Sequence, residues 1–247
     1  MLSPNDAVAA PHLSVVVPVK NEAANIAPLV AEIAAALQGS GSFEAIFVND
    51  GSTDGTAAAL QAEMARFAWL RMLTHAASSG QSAAVRSGVR AARAPIVATL
   101  DGDGQNDPAF IPALVAALGA EGKVGLAQGQ RVGRKDTAFK RLQSRLANRV
   151  RAWLLKDSTR DTGCGLKAFR RDAYLALPYF DALHRFMPAL VSRDGWEVAL
   201  VDVVDRPRLH GVSNYGFWNR VWVGIIDLIG VRWLISRKRP SPTVTEG

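Results

Sequence analysis

Short apolar runs alternate with helically spaced apolar positions along the first part of the chain. Residues 13–17 are mostly β-branched and stop at Pro18, which is typical of a buried strand followed by a loop. Residues 22–37 place apolar side chains three and four apart, and this spacing predicts a helix that ends before Gly39. The same alternation predicts strands at 45–48, 70–73 and 96–100 and helices at 56–67 and 81–92.

This alternation predicts an α/β domain with a mostly parallel central sheet and helices on both faces. In such sheets, ligands bind beyond the carboxyl ends of the strands. Polar clusters follow three of the predicted strands at that edge, at residues 18–22, 50–56 and 101–107. The coincidence of the three clusters predicts one ligand site there.

The second half of the chain has a less regular pattern. It predicts a basic amphipathic helix at 137–155, a strand at 163–170 that contains Cys164, a short helix at 171–177, the end of a helix at 189–194 and a strand at 196–204. The resulting organisation is a disordered lead at 1–12, one domain at 13–216, an apolar helix at 217–236 and a basic disordered tail at 237–247.

Composition narrows the choice of partners and compartment. The net charge of +7 favours anionic partners such as nucleotides, lipid phosphates or acidic membranes, although a solvated basic surface explains it equally well. One cysteine excludes a disulfide framework. Residues 1–12 lack the features of a signal peptide, so we expect the active site to face the cytoplasm. The sequence has no P-loop, and no GxGxxG follows the first strand, which argues against a P-loop enzyme and a classical dinucleotide enzyme. No motif supports nucleic-acid binding.

The sharpest chemical signal is the segment DGDGQ at residues 101–105. Asp101 and Asp103, two residues apart at a strand's end, can bind one hard cation such as Mg²⁺ or Mn²⁺. That ion would bridge a diphosphate and neutralise the leaving group. Taken alone, the segment fits an ordinary Asp- and Gly-rich turn somewhat better than a metal site. A calcium loop fits less well because Pro112 stands where its glutamate is needed.

Two earlier residues are candidates for nucleoside contacts. Asp50 ends the second predicted strand, where it could accept hydrogen bonds from a base or a ribose. Glu22 either caps the first helix or lies at the rim of a bound ribose, and the sequence leaves both roles open.

Three segments together resemble the family 2 glycosyltransferases with a GT-A fold: PVKNE at 18–22, NDGSTDGT at 49–56 and DGDGQ at 101–105. DTGCGLK at 161–167, RPR at 206–208 and GVSNYG at 211–216 resemble, more narrowly, the branch that uses polyprenyl phosphates. The resemblance covers roughly residues 13–216. It implies a metal-dependent enzyme that uses a UDP- or GDP-sugar. A single displacement of the diphosphate by the acceptor would invert the anomeric centre.

The resemblance also implies a role for individual residues. The nucleotide-binding positions are Pro18, Glu22, Asp50 and Asp101. The metal and diphosphate positions are Asp101, Asp103 and Gln105. The phosphate and acceptor positions are Arg131, Arg141, Ser144, Arg206, Arg208 and Ser213, and Asp161 begins the segment on the acceptor side. An arginine that binds phosphate, such as Arg131 or Arg208, would contribute to rate and not to stability.

Departures from the branch pattern concern the acceptor and the membrane. Asn214 stands where a lysine is usual, and Ser78 and Ser79 replace an Arg-Asn pair. The two long C-terminal membrane helices of the branch are reduced to one candidate.

The nature of the acceptor decides whether a base is needed. A phosphate monoester has a second pKa of about 6, so it attacks already ionised and needs no strong general base. The alternative is a soluble or glycan acceptor, for which Asp161 would serve as the base.

The helix predicted at 217–236 determines the expected location. It is long enough to span a bilayer, but Arg220, Asp227 and Arg232 interrupt it. Its apolar residues 218, 222, 225, 226, 229 and 233 share one side, which predicts a helix lying in the interface of the cytoplasmic membrane's inner face. Packing on the domain, or docking on a small membrane-protein partner, is the alternative.

Overall fold

The computed structural model describes residues 10–132, 151–155, 157, 159–207 and 217–238, with side chains in the last segment from residue 224 onward. The strands of the described residues are β1 (Leu13–Val19), β2 (Phe43–Asp50), β3 (Leu70–His75), β4 (Ile96–Thr99), β5 (Val124–Arg131), β6 (Lys167–Arg170) and β7 (Glu197–Val203). The helices are α1 (Ala23–Ala36), α2 (Thr56–Met64), α3 (Gln81–Ala91), α4 (Ile111–Ala117), α5 (described at 151–155), α6 (Arg171–Leu175), α7 (Leu183–Arg193) and α8 (Phe217–Ser236).

The strands of the described residues form one sheet in the order β3-β2-β1-β4-β6-β5-β7. β1 pairs in parallel with β2 and β4, and β6 pairs antiparallel with both β4 and β5. The carboxyl ends of β1, β2 and β4 therefore lie at one edge, as the sequence predicts.

Helices cover both faces of the sheet because successive side chains of each strand point to opposite sides. Val15 and Val17 of β1 pack into one core cluster with α1, whereas Val16 packs into the other with α3 and α7. Burial of both faces explains the nearly continuous apolar runs of β1 and β2.

The sequence pattern misses or misplaces several elements. It does not predict β5 or α4, and the strand expected at 163–170 begins only at Lys167. Cys164 therefore lies buried in a loop and not in a strand. β5 is missed because Gly125, Gln128 and Gly129 interrupt its apolar pattern, although all three are buried. Of the helix predicted at 137–155, residues 133–150 lie outside the described part of the chain.

Candidate active site

The three polar segments predicted to share an edge meet around a cleft of about 270 Å³, here called the main cleft. The register of β1 with β2 pairs Pro18 with Val48 and Val19 with Asn49, so the loops that follow leave the sheet side by side. The walls of the main cleft include Pro18, Lys20, Glu22, Asp50, Ser78, Gly80, Gln81, Asp101 and Asp103. The structure thus brings the predicted nucleotide positions together with two of the three predicted metal positions, Asp101 and Asp103.

Hydrogen bonds lock the first polar segment to the second. Asn21 adopts a left-handed backbone with φ of 56°, and its side-chain oxygen accepts from the Thr53 amide at 2.8 Å. Its own amide donates to Ser52 Oγ at 3.0 Å, and the Glu22 amide donates to Thr56 Oγ1 at 2.9 Å. These contacts fix where Glu22 enters the cleft.

Glu22 is the residue before α1, but its side chain makes no capping hydrogen bond. Its Oε2 accepts from Asn25 Nδ2 at 2.6 Å, and the residue lines the main cleft. The capping alternative is therefore wrong, and contact with a ribose stays a prediction.

Asp50 is buried and organises one wall of the main cleft. Its carboxylate accepts hydrogen bonds from His75 Nδ1, Ser78 Oγ and the Ser79 and Gly80 amides, at 2.7 to 2.9 Å. Burial acts to raise the pKa of Asp50, but these hydrogen bonds outweigh it and hold the pKa below its usual value. A carboxylate has about four acceptor positions, and these four donors occupy them. Asp50 therefore orients the loop at 78–80, and a direct nucleoside contact stays a prediction.

Glycine is required where the loop at 78–80 crosses the second polar segment. Gly51 has φ of 64°, and a Cβ there would lie 2.6 Å from the Ser78 amide nitrogen. Ser78 and Ser79, which depart from the branch pattern, both donate to Asp50. The hydroxyl contact gives the departure at Ser78 a structural role, whereas Ser79 donates from its backbone amide, as any residue there would.

Asp101 and Asp103 follow β4 and form the acidic centre of the main cleft. Gln81 Nε2 donates to Asp101 Oδ1 at 2.7 Å, and the Gln105 amide donates to Asp103 Oδ1 at 3.1 Å. Burial, followed by repulsion from Asp103, raises the pKa of Asp101 to about 6, while Lys167 and Arg131 act against that rise.

This pair of carboxylates fits a divalent cation, because one ion relieves the repulsion that raises the pKa of Asp101. Within the described residues no group of three or more His, Cys, Asp or Glu side chains is arranged to hold a metal. Two carboxylates with further positions left for substrate phosphates are typical of Mg²⁺ and Mn²⁺ sites. The side-chain amide of Gln105 instead reaches the Arg206 carbonyl at 3.5 Å, so its role as a metal ligand stays a prediction.

Arg131, at the end of β5, pairs with two carboxylates of the protein. Its Nε and one terminal nitrogen donate to the two oxygens of Asp161, at 2.5 and 2.9 Å, and the other terminal nitrogen donates to Asp205 at 3.2 Å. Hydrogen bonding to Asp161 raises the pKa of the guanidinium further above its usual value. Arg131 therefore ties two loops together, and its predicted phosphate contact is untested.

Arg206 also connects segments that are far apart in sequence. It pairs with Glu32 at 2.8 Å and with Asp107 at 2.6 Å, and its amide donates to the Gln105 carbonyl at 2.9 Å. These contacts hold the loop after β7 against the DGDGQ segment. The other predicted phosphate and acceptor positions, Arg141, Ser144, Arg208 and Ser213, lie outside the described residues.

Replacement of Arg131 is expected to affect stability as well as rate, because it removes the guanidinium that pairs with both Asp161 and Asp205. Both carboxylates are mostly buried, so we expect Arg131→Ala to lower the free energy of unfolding by about 1–3 kcal/mol. Arg131→Lys should restore only part of it, because an ammonium cannot reproduce the two-pronged contact. Chemical denaturation tests this, with Arg160→Ala, an exposed arginine, as control. An unchanged midpoint for Arg131→Ala would contradict the structural role.

A second, smaller cavity of about 60 Å³, here called the inner cavity, borders the main cleft at Asp101. It shares Pro18, Gln81 and Asp101 with the main cleft and is closed by residues 163–165 and Lys167. Gly165 approaches so closely that a Cβ there would lie 2.4 Å from Asp101 Oδ2. Gly165 and Lys167 both belong to the DTGCGLK segment, but the sequence alone predicts no individual role for either.

α8 packs on the domain with one side and exposes the other. Val231 is buried, and Leu228, Leu234 and Ile235 pack against the same core cluster as α7. The exposed large side chains fall within about 100° of the helical circumference on the opposite side: Ile225, Ile226, Ile229 and Trp233.

We call these four residues the outer face of α8. The sequence alternative of packing on the domain is thus correct for one side only. Asp227 is half-buried, and burial raises its pKa. Within the described residues, every helix is too short or too polar to cross a membrane.

Comparison with known proteins identifies the class to which this fold and site belong. Residues 14–177 match the family described as Glycosyl transferase family 2, a span of more than half the chain. The chain belongs to this family, as the sequence motifs predict.

The relatives narrow the class to its polyprenyl-phosphate branch. The chain is 35% identical over 243 residues to a dodecaprenyl-phosphate galacturonate synthase from Rhizobium johnstonii, covering 96% of this chain and 71% of that protein. It is 33% identical over 215 residues to an undecaprenyl-phosphate 4-deoxy-4-formamido-L-arabinose transferase from Shewanella sediminis, covering 85% of this chain and 63% of that protein. The predicted resemblance to this branch is confirmed.

Solved structures confirm the GT-A fold. A glucosyl-3-phosphoglycerate synthase from Mycobacterium tuberculosis, in complex with Mn²⁺, UDP and phosphoglyceric acid, superposes with a TM-score of 0.68 at 20% identity, covering 94% of this chain and 81% of that one. A mannosyltransferase from Pyrobaculum calidifontis with GDP-Man and Mn²⁺ has a TM-score of 0.63 at 21% identity, covering 95% and 67%. At these identities the likeness establishes the fold alone.

Proposed function

We propose that the chain is a metal-dependent, inverting glycosyltransferase that moves a sugar from a nucleotide diphosphate to a polyprenyl phosphate at the cytoplasmic membrane face. The observation that carries the proposal is the convergence of Asp101 and Asp103 with Glu22 and Asp50 around one cleft at the carboxyl ends of the strands. The relatives named above are called a dodecaprenyl-phosphate and an undecaprenyl-phosphate enzyme, which supports this class of acceptor.

The described residues divide the work of donor binding. The loop that Asp50 orients and the rim at Glu22 hold the nucleoside, and Asp101 with Asp103 would hold Mg²⁺ or Mn²⁺ beside the diphosphate. The fold neighbours named above contain Mn²⁺ with UDP or GDP-Man, which supports a divalent ion and a UDP- or GDP-sugar. Such an ion supplies charge neutralisation for the departing diphosphate. Gln81 keeps Asp101 oriented by its hydrogen bond to Oδ1.

Ionised phosphate as the nucleophile explains why no general base is needed. With its second pKa at about 6, a phosphate monoester carries the attacking charge itself near neutral pH. Asp161, the base of the alternative proposal, already accepts two hydrogen bonds from Arg131. A carboxylate paired in this way is a weak base, which favours the lipid phosphate over a soluble or glycan acceptor.

A donor screen tests the proposal. Purified protein is incubated with polyprenyl phosphate, Mn²⁺ or Mg²⁺, and a series of UDP- and GDP-sugars, and sugar in the lipid product is measured. We expect one donor class to give a glycosylated lipid phosphate and no product without the metal. Lack of transfer from every donor, with the folded protein confirmed by circular dichroism, would contradict the proposed function.

Attachment to the membrane is proposed through the outer face of α8. Its exposed apolar side chains are neighboured by Arg232 and Arg237, which are exposed and complement anionic lipid. A helix docked by one side on the domain can place the main cleft near a lipid head group without crossing the bilayer.

The double variant Ile229→Ser with Trp233→Ser is expected to lose most binding to anionic vesicles, because it removes apolar burial in the interface. Both side chains are more than half exposed, so the domain should stay folded. Flotation with phosphatidylglycerol vesicles measures the effect, with Met64→Ser on α2 as matched control. If the double variant floats as well as the parent, the outer face is not the membrane contact.

A further inference from the structure

Asn106 ends the acidic segment, residues 101–106, which carries Asp101 and Asp103. The Asn106 side chain is buried, with 2% of its surface exposed. Its Oδ1 accepts a hydrogen bond from the Asp101 amide at 2.9 Å, and its Nδ2 donates to Asp205 Oδ1 at 3.2 Å. One side chain thus closes the acidic segment on itself and connects it to the loop after β7.

An amide side chain suits both partners of Asn106. The backbone N–H of Asp101 needs an acceptor, whereas the carboxylate of Asp205 needs a donor. A carboxylate at position 106 would face Asp205 with like charge, and an apolar side chain would leave the Asp101 amide without this acceptor. The position therefore calls for a short side chain that ends in one acceptor and one donor.

Asp205 is itself anchored to the sheet. Its other carboxylate oxygen accepts from Arg131, the last residue of β5, at 3.2 Å. Backbone contacts run beside the side-chain bond, because Asn106 and Asp205 form an isolated antiparallel bridge and the Arg206 amide donates to the Gln105 carbonyl. Asn106 therefore joins the acidic segment to an ion pair fixed at the end of a central strand.

The backbone of the acidic segment has little rigidity of its own. It contains two glycines, and Gly104 has φ of 73°, in the left-handed region. The carboxylates of Asp101 and Asp103 also repel each other in the absence of an ion. Gln81 orients the Asp101 carboxylate, whereas Asn106 fixes the Asp101 backbone. The relative position of the two carboxylates therefore depends on Asn106.

We propose that Asn106 is a positioning residue for the divalent ion, which holds Asp101 and Asp103 in a metal-binding arrangement by tying their segment to Asp205. This inference rests on the proposed function and adds the device that keeps its metal site in shape. Hydrogen bonds behind the ligands of a metal site commonly set its affinity, because they spare the ion the cost of ordering the ligands. Asn106 supplies such a bond from outside the pair of carboxylates.

Binding of Mn²⁺ tests the proposal without reference to sugar transfer. Mn²⁺ is titrated into the parent and into Asn106→Ala, with UDP and separately with GDP, and the free ion is followed by electron paramagnetic resonance. We expect the variant to bind Mn²⁺ about 10-fold or more weakly, as when a partner behind the ligands of a metal site is removed. Gln61→Ala, at an exposed amide side chain of α2, is the matched control and should bind as the parent does. Parental Mn²⁺ affinity in folded Asn106→Ala would overturn the proposal.

A double-mutant cycle with Asp205→Ala tests whether Asn106 acts through Asp205. In the Asp205→Ala background, Asn106→Ala should weaken Mn²⁺ binding only about threefold or less, because the anchor is already gone. The full loss in both backgrounds would overturn the tie to Asp205. Should Asn106→Ala fail to fold, Asn106→Ser, which lacks the amide group that donates to Asp205, takes its place in the cycle.

Failure of the proposed function gives a different result. If sugar is transferred from no donor while the Mn²⁺ affinities change as expected, the proposed function is contradicted and the role of Asn106 stands. A parent that binds no Mn²⁺ with either nucleotide would overturn the role of Asn106, because the ion would then have no site at Asp101 and Asp103.

Discussion

Asp103→Ala is expected to abolish sugar transfer while leaving the protein folded. Asp103 is buried beside Asp101 and raises the pKa of that carboxyl, so its removal relieves repulsion in the metal-free protein. The variant nevertheless lacks half of the carboxylate pair that would hold the divalent ion. We expect a loss of kcat of at least about 10³-fold, as when a main electrostatic group of a site is removed.

Thermal unfolding with and without Mn²⁺ separates the metal role from a structural one. Ion binding to the native state alone raises the Tm of the parent. Asp103→Ala should unfold at the parent's metal-free Tm or slightly higher, with no further rise on addition of Mn²⁺. Glu121→Ala, at an exposed carboxylate, should retain the rise. A folded Asp103→Ala protein with near-normal, metal-dependent activity would show that the metal site is elsewhere.

Gly165→Ala is expected to reduce turnover about 100-fold or more by displacing Asp101. The added Cβ would lie 2.4 to 2.6 Å from the three carboxyl atoms of Asp101, and the end of that side chain is what must move. A shift on the order of 1 Å at a catalytic group costs about 10²-fold in rate. Because no backbone lies in the way among the nearest atoms, the free energy of unfolding should change little.

Steady-state kinetics and denaturation on the same preparation measure both effects. Gly230→Ala on α8 is the matched control, because a Cβ there meets nothing within 4 Å. A Gly165→Ala protein with parental kcat would show that the position of Asp101 tolerates displacement. A large loss of stability would instead place Gly165 in the fold and not in the site.

Continuous apolar runs made the first half of the fold predictable from the sequence. β1 and β2 are buried on both faces, so nearly every residue in them is apolar, and the polar segments after them mark the sheet edge without ambiguity. Asp101, Asp103, Asp50 and Glu22 could be assigned to one site because parallel strands end at the same edge.

The partners of the charged residues could not be predicted, because the contacts join distant segments. Arg131 pairs with carboxylates 30 and 74 residues away, and Arg206 pairs with Glu32, 174 residues earlier. Sequence reasoning assigned these arginines to substrate phosphates since nothing local showed their partners. The crowding at Gly165 is likewise a property of the folded chain, because it depends on Asp101 lying against the loop before β6.

The two sides of α8 show both the use and the limit of periodicity. The outer face was predicted as one apolar stripe, and the structure exposes its described members. The apolar stripe around Val231, which packs on the domain, could not be told apart from the outer face in the sequence, because the helix is apolar on most of its circumference. Only the position of the core distinguishes the side that packs from the side that faces outward.

Acceptor choice decides whether the nucleophile is a lipid phosphate at a metal-assisted site, as proposed. With the donor found in the screen, transfer of labelled sugar is measured to polyprenyl phosphate, to the uncharged polyprenol and to a soluble glycan, each with Mn²⁺ and with a chelator. The proposed function predicts product with polyprenyl phosphate and Mn²⁺ alone, because only an ionised acceptor attacks without a base. Comparable transfer to the polyprenol or the glycan, or transfer that survives the chelator, would contradict it.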